Sequence, residues 1–312
     1  MKQLLIILIS IFTSDICAQN AIDYYKGINQ GKIFTIKYDF ESAINSYEQV
    51  FRNNDFVFAR DCFNAIELSI LAKDSVKTKY FIERAISQGI RLSDIEQSYK
   101  LTDYVELNVL NEIKANEDSL LTIYSSRINW KIREEINQMF SEDQKLREEY
   151  YTANVFQKNK VRKRWESLNA KQVERLIEIT KQYGFPGERL IGLDRNEMHP
   201  KVNSTNYSAG MPIVLLIHHF SQPNLSYDEL LVEEIEKGNL YNEHFATICD
   251  FEAEFGKTKF ENFGYYGLRY QPKKLDEKAL NLKRQEIGIL EFEQIEALNK
   301  ITNLTKFWNR LY

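Results

Sequence analysis

A carboxylate stands where an apolar residue belongs. From Trp130 to Tyr151 the apolar positions are Ile132, Ile136, Met139, Leu146 and Tyr150, and the same stepping puts Asp143 between Met139 and Leu146. Steps of four and three keep one face of a helix, so Asp143 is expected on the buried side. A buried charge must be paired or hydrogen-bonded, because an isolated one is strongly unfavourable. Arg147, four residues on, is within helical reach, and Gln144 flanks the same edge. Two readings follow: a polar cluster at the floor of a cleft, or a structural ion pair.

Two further places carry polar residues against an apolar background. Met211 to Phe220 is an apolar run ending in His218 and His219, the pattern of a buried helix whose last turn meets polar surroundings. A histidine there can be a proton carrier or only a partner of the helix dipole. Asp250 follows Phe245, Ile248 and Cys249 in a similar patch. His219 as general acid or base, positioned by Asp143 or Asp250, with Arg147 or Arg284 holding an anion, is the enzymatic arrangement these residues allow.

The familiar catalytic patterns are missing. There is no His-Glu-x-x-His, Gly-x-Ser-x-Gly or Cys-x-x-Cys. Gly256-Lys257-Thr258 imitates the end of a phosphate loop, but Phe251 stands where its first glycine is needed. Adjacent His218 and His219 point about 100° apart on a helix, and His199 and His244 add no ligand spacing, so no metal or other cofactor is expected. Lys158, Lys160, Arg162, Lys163 and Arg164, beside Trp165, form a basic run. Read against the acidic run Glu233, Glu234 and Glu236, it is a solvated helix face and not a nucleic-acid site.

The elements that must position these groups read as helices. Residues 22–100 form helix pairs. Apolar faces run through Phe40, Ala43, Ile44, Tyr47, Val50 and Phe51, then through Phe56, Phe63, Ile66, Ile70 and Leu71. A third helix from Lys79 stops at Gly89. The Ala43-Ile44 and Ala85-Ile86 pairs, 42 apart, resemble a tetratricopeptide-type array, which implies a scaffold or a groove for a protein or peptide partner. Residues 101–126 read as a less patterned join. Residues 127–312 read as a second, mostly helical unit, with segments near 127–151, 170–183, 209–221, 226–237, 242–255 and 290–311. Phe260 to Tyr270 is expected as a short β-hairpin. The fold class expected is mainly α, with one small β element.

An ordered set of short motifs adds a resemblance. Asp143-Gln144-x-x-Arg147, Gly184-x-Pro186, Gly192, a helix ending in His219, Asp250, Tyr266-Gly267 and Arg284-x-x-x-Gly288 come in one order over residues 130–295. That order is similar to the bacterial family catalogued as domain of unknown function 6624. The resemblance implies a site drawn from Asp143, Gln144, Arg147, His219, Asp250, Tyr266 and Arg284, with His218 beside it; it implies no reaction, since the family has none assigned. His218 stands where a Gln is common, Phe251 where an Arg is common, and Leu268-Arg269 where Thr-Gln is common.

The chain opens with the layout of a secretory signal peptide: Lys2, the apolar run Leu4 to Phe12, and Ala18 before Gln19. An exported protein, periplasmic or secreted and cut after Ala18, is expected; acylation of Cys17 is the alternative. No later stretch is long enough to span a membrane, Ile213 to Ile217 being the longest apolar run. The 41 basic and 45 acidic residues give a balance of −4, which excludes a strongly basic nucleic-acid binder. Hydrophobic residues at 43% are enough to fill a core, and 12 Gly with 5 Pro argue against linker-rich classes. Cys62 and Cys249 read as two separate buried thiols. The functions left standing are an envelope protein binding a small ligand or a peptide, an enzyme using His and Asp as acid and base, and a purely structural partner.

Overall fold

The computed structural model describes residues 21–194, 208–220, 227–255, 265–269, 276–301 and 304. Among them the regular elements are helical and no strand occurs. In order they are α1 (Ala21–Ile36), α2 (Phe40–Asn53), α3 (Ala59–Leu71), α4 (Ser75–Ser87), α5 (Leu92–Ser98), a 3-10 turn (Leu101–Asp103), α6 (Leu107–Arg127), α7 (Trp130–Thr152), α8 (Val155–Tyr183), α9 (Glu188–Ile191), α10 (Met211–Phe220), α11 (Asp228–Glu236), α12 (Asn242–Phe255), α13 (Glu277–Glu286) and α14 (Phe292–Asn299). The leader-like residues 1–18 and Gly256-Lys257-Thr258 lie outside the described residues.

Helix starts are marked by short polar side chains that satisfy otherwise orphaned backbone N–H groups. Asp39, Asp74, Asn129, Asn154 and Asp276 each accept from an N–H three residues on. Gly89, at φ +101°, ends α4: its N–H reaches Ile86 O and the Ile90 N–H reaches Ala85 O. Those two bonds are the Schellman arrangement, which requires the left-handed conformation glycine adopts without strain.

The first four helices are two like hairpins. Tyr38 and Lys73 both turn at φ 58°, and each precedes a capping aspartate, Asp39 or Asp74. The offset is therefore 35 residues, not the 42 suggested by the two Ala-Ile pairs. Buried Ala43, Tyr47, Val50 and Phe51 correspond to buried Thr78, Ile82, Ala85 and Ile86. The Ala-Ile match was out of register by two helical turns, because the polar Thr78 occupies the position of Ala43.

Three expected boundaries change. Residues 101–126 contain α6, which buries only Leu110, Ile113 and Tyr124 over 21 residues, too few to show a stripe. The helix expected at 170–183 begins at Val155, so the basic run lies on α8. The last helix ends at Asn299, with residues 302, 303 and 305–312 outside the described residues. The expected hairpin is not found among the described residues. Residues 265–269 are irregular, and 260–264 and 270 lie outside the described residues.

One apolar core runs from Ala21 to Ile301. The N-terminal hairpins share it with the later helices. Tyr25 Oη donates to Leu240 O at 3.0 Å, and Asn29 Nδ2 to Gly288 O at 2.7 Å. Within the later helices α10 is central, packed against α7, α8 and α12. Its run of Met211, Ile213, Leu215, Leu216 and Ile217 is buried, as a helix apolar on all sides must be. Among the described residues no helix is long and apolar enough to cross a membrane.

Candidate functional site

Asp143 lies on α7, is fully buried and is held by three donors. Trp165 Nε1 of α8 donates to Oδ1 at 2.7 Å, Gln144 Nε2 donates to Oδ2 at 2.9 Å, and His218 Nδ1 of α10 lies 2.8 Å from Oδ2. Each comes from a different place because α10 crosses both long helices, bringing its last turn beside Asp143. A carboxylate only accepts, so the neutral His218 ring carries its proton on Nδ1 and its lone pair on Nε2. The Trp165 ring meets the His218 ring edge-on, with centroids 5.3 Å apart. The other end of α10 is fixed too: Asp194 Oδ2 accepts from the N–H groups of Gly210 and Met211. Burial pushes the Asp194 carboxyl up to about 7.

His218 opens into a cleft of about 480 Å³, within the usual range for small-ligand sites. Val214, Ile217, Phe251 and Leu268 give it apolar walls, Thr247 adds a hydroxyl, and Arg147 and Arg269 supply two cations. The Arg269 guanidinium lies 3.8 Å from the Phe251 ring centroid and 3.6 Å from Glu254. The Thr247 hydroxyl donates to Glu243 O at 2.8 Å.

The cleft wall at Leu268-Arg269 is built by Asp250 and Arg284. Buried Asp250 accepts from four consecutive N–H groups: Tyr266 and Gly267 on Oδ1, Leu268 and Arg269 on Oδ2. Arg284, also buried, grips the same loop from its carbonyls, Nε to Tyr266 O at 2.7 Å and Nη2 to Gly267 O at 3.2 Å. Burial pulls the guanidinium below its ordinary range, and Asp250 opposes that. An irregular loop must find partners for its backbone, and here a carboxylate and a guanidinium supply them. The N–H groups of 266–269 and the carbonyls of Tyr266 and Gly267 are therefore satisfied without strand pairing.

The expected site residues divide accordingly. Asp143, Gln144, Arg147 and His218 stand together at the cleft. Asp250, Tyr266 and Arg284 are brought together behind its wall, where Asp250 and Arg284 spend their polar atoms on backbone. Two expectations are corrected. Arg147 does not pair with Asp143: it is exposed and reaches Asp143 only through Gln144, whose Oε1 accepts from Nη1 at 3.3 Å. The histidine on Asp143 is His218 and not His219, because the crossing of α10 turns position 218 toward α7. His219 is half-buried, and burial pushes its imidazole below the ordinary value.

Other residues were not legible beforehand. In the sequence Trp165 stands only as a neighbour of the basic run, Arg269 only as a departure from the family's Thr-Gln, and Thr247 carries no signal beyond its type. A second buried polar group joins the halves of the chain: Tyr24 Oη donates to Asp61 at 2.6 Å, while Arg60 and Lys32 pair with Glu243 at 2.6 and 3.6 Å. Beside it, burial pushes His244 down to about 3. These groups lie on α1, α3 and α12, so spacing could not connect them. Cys62 and Cys249 are separate buried thiols. Among the described residues no group of three or more His, Cys, Asp or Glu could hold a metal ion. No family model, curated protein or solved structure matches the chain.

Proposed function

We propose that the chain is an exported binding protein whose cleft takes a small organic anion. The observation that carries the reading is the pairing of His218 with buried Asp143 in a cleft that also presents Arg147 and Arg269. The two guanidiniums would hold a carboxylate or phosphate, and the apolar walls would hold a short hydrocarbon body. Asp143 fixes the His218 ring at the wall of the cleft. The resemblance to the family called domain of unknown function 6624 supports the choice of Asp143, Gln144 and Arg147; its histidine falls on His219, so His218 rests on its contact with Asp143 alone. The leader-like residues 1–18 support export. The N-terminal hairpins serve as scaffold in this reading. A shallow polar groove between α1 and α2, lined by Gln30, Gln49 and Asn53, is where a peptide partner would lie.

A second reading, an acid–base enzyme, is favoured by the same Asp–His geometry, with His218 activating a water. Thermal-shift and calorimetric titration with aliphatic carboxylates and phosphate monoesters tests the first reading. Binding should weaken by about tenfold or more in Arg147→Ala and Arg269→Gln, since each removes a charge-assisted bond. Ligands that bind all variants alike would sink the proposal. Turnover of an ester or phosphoester that is lost in His218→Gln, with binding retained, would move the assignment to the enzyme.

A further inference from the structure

We propose that the tip of the α7–α8 hairpin is a docking surface for an anionic lipid bilayer. Phe156 is 95% exposed, Val155 85% and Tyr151 66%. All the residues from Tyr151 to Lys160 are exposed except the half-buried Ala153, so the turn stands clear of the protein body. An aromatic and a β-branched side chain presented together at a projecting turn gain nothing from folding. They gain by burial elsewhere.

The charge around them selects the partner. Residues 145–164 hold seven Lys or Arg and two Glu, a local balance of +5 in a chain whose overall balance is −4. The acidic run expected to offset them does not. Glu234 is buried on the Phe185 N–H, and Glu233 pairs with Lys237, both on α11 or just beyond it. Near the tip Arg164 pairs with Glu149 and Arg162 with Glu166. Lys160, Lys163 and Lys171 have no carboxylate partner among the described residues.

These lysines are not scattered. Phe156, Lys160, Lys163, Arg164, Ser167 and Lys171 step along one face of α8 at helical spacing. Beyond Phe156, the residues Lys160, Lys163, Arg164, Ser167 and Lys171 line an open groove of about 520 Å³ with Leu146 and Leu168. The stripe thus begins with an apolar tip and continues as a cationic trough. A bilayer surface offers the matching order: acyl chains for Val155 and Phe156, and headgroup phosphates for the lysines behind them. An acidic peptide would satisfy the lysines but leave a convex apolar tip in water. The inference rests on residues outside the cleft, apart from Arg147 and its share of the local charge.

Co-sedimentation of the full chain with phosphatidylcholine vesicles, with and without about 30% phosphatidylglycerol, tests this. Binding should need phosphatidylglycerol and should fall as salt rises from about 50 to about 500 mM. Because Leu4 to Phe12 could also meet lipid, the variants carry the result. Val155→Ser/Phe156→Ser and Lys160→Glu/Lys163→Glu should each reduce the bound fraction by about tenfold or more. Lys26→Glu/Lys278→Glu, which makes the same charge change elsewhere, should leave it unchanged. All six positions are exposed, so helicity by circular dichroism should match the parent. The proposal is overturned if vesicle binding is absent, is equal without phosphatidylglycerol, or is unaltered by the tip variants. Loss of binding in the remote pair to the same degree also overturns it. Capture of polyglutamate without vesicle binding would assign the tip to an acidic protein instead.

Discussion

The Glu188 carboxylate accepts the backbone N–H of Ala59 at 2.9 Å, closing the start of α3 with a side chain from 129 residues later. The first N–H groups of a helix have no partner within it, and here the later half of the chain provides one. Burial pushes the Glu188 carboxyl up to about 8, since the N–H and the more distant Arg127 only partly offset desolvation. The folded state therefore holds a proton that the unfolded state releases near 4.5.

That difference sets a pH dependence. Below 4.5 both states are protonated, and Glu188 contributes no slope. Between 4.5 and about 8 only the folded state keeps the proton, so stability falls as pH rises, by up to about 1.4 kcal/mol per unit. Above about 8 the folded state ionises as well and the loss levels off. Asp194 and Glu252, also raised by burial, add the same sign. Glu188→Gln keeps an acceptor for Ala59 and should flatten, without abolishing, the fall. Urea midpoints from pH 5 to about 8 check this, and an unchanged slope in the variant would refute it.

Asp143 and Arg147 should behave very differently. Asp143→Ala leaves the Trp165 and His218 ring nitrogens facing an emptied buried site, at a cost of about 3 kcal/mol. Arg147→Ala removes an exposed side chain one bond removed from Asp143 and should cost about 0–1 kcal/mol. Chemical denaturation of both variants measures the contrast. Similar losses in the two would contradict the geometry described.

The Asp250 clip should be visible in the loop it holds. Asp250→Asn replaces an oxygen that accepts two N–H groups with a donor, leaving Leu268 and Arg269 or Tyr266 and Gly267 without an acceptor. A loss of about 2 kcal/mol is expected. Amide exchange at 266–269 should speed up more than in α7 or α8. Uniform acceleration across the chain would mean that the loop has no local stability of its own.

Gly288 is a point of close approach between the halves. It sits at φ +71°, its carbonyl accepts from Asn29 and Asn242, and a Cβ there would lie 2.7 Å from Tyr25 Cβ. Gly288→Ala combines left-handed strain with overlap against a buried tyrosine, so about 2–4 kcal/mol is expected. A thermal melt reads it out. A variant as stable as the parent would show that α1 is free to move away.

The sequence by itself determined most of the helical segments and that Asp143 faces inward. Both follow from local rules: apolar spacing, capping aspartates and asparagines, and Gly89 at a helix end. It also showed that α10 is buried and ends in polar company. Weakly striped α6 escaped, because a helix with three buried positions in 21 residues looks like a join. The register of the two hairpins escaped as well, since composition matched Ala-Ile pairs while the fold matched turns. What Asp143 binds was decided only in three dimensions. Arg147 was nearest along the helix, yet the crossing of α10 over α7 and α8 delivers His218 and Trp165 to the carboxylate and leaves Arg147 in solvent. Of the hairpin expected over Phe260 to Tyr270, the described residues 265–269 are irregular, and there Asp250 and Arg284 supply the backbone partners a second strand would have supplied. Spacing along one helix specifies a face. Which distant side chain meets that face depends on how helices cross, and no local pattern encodes the crossing.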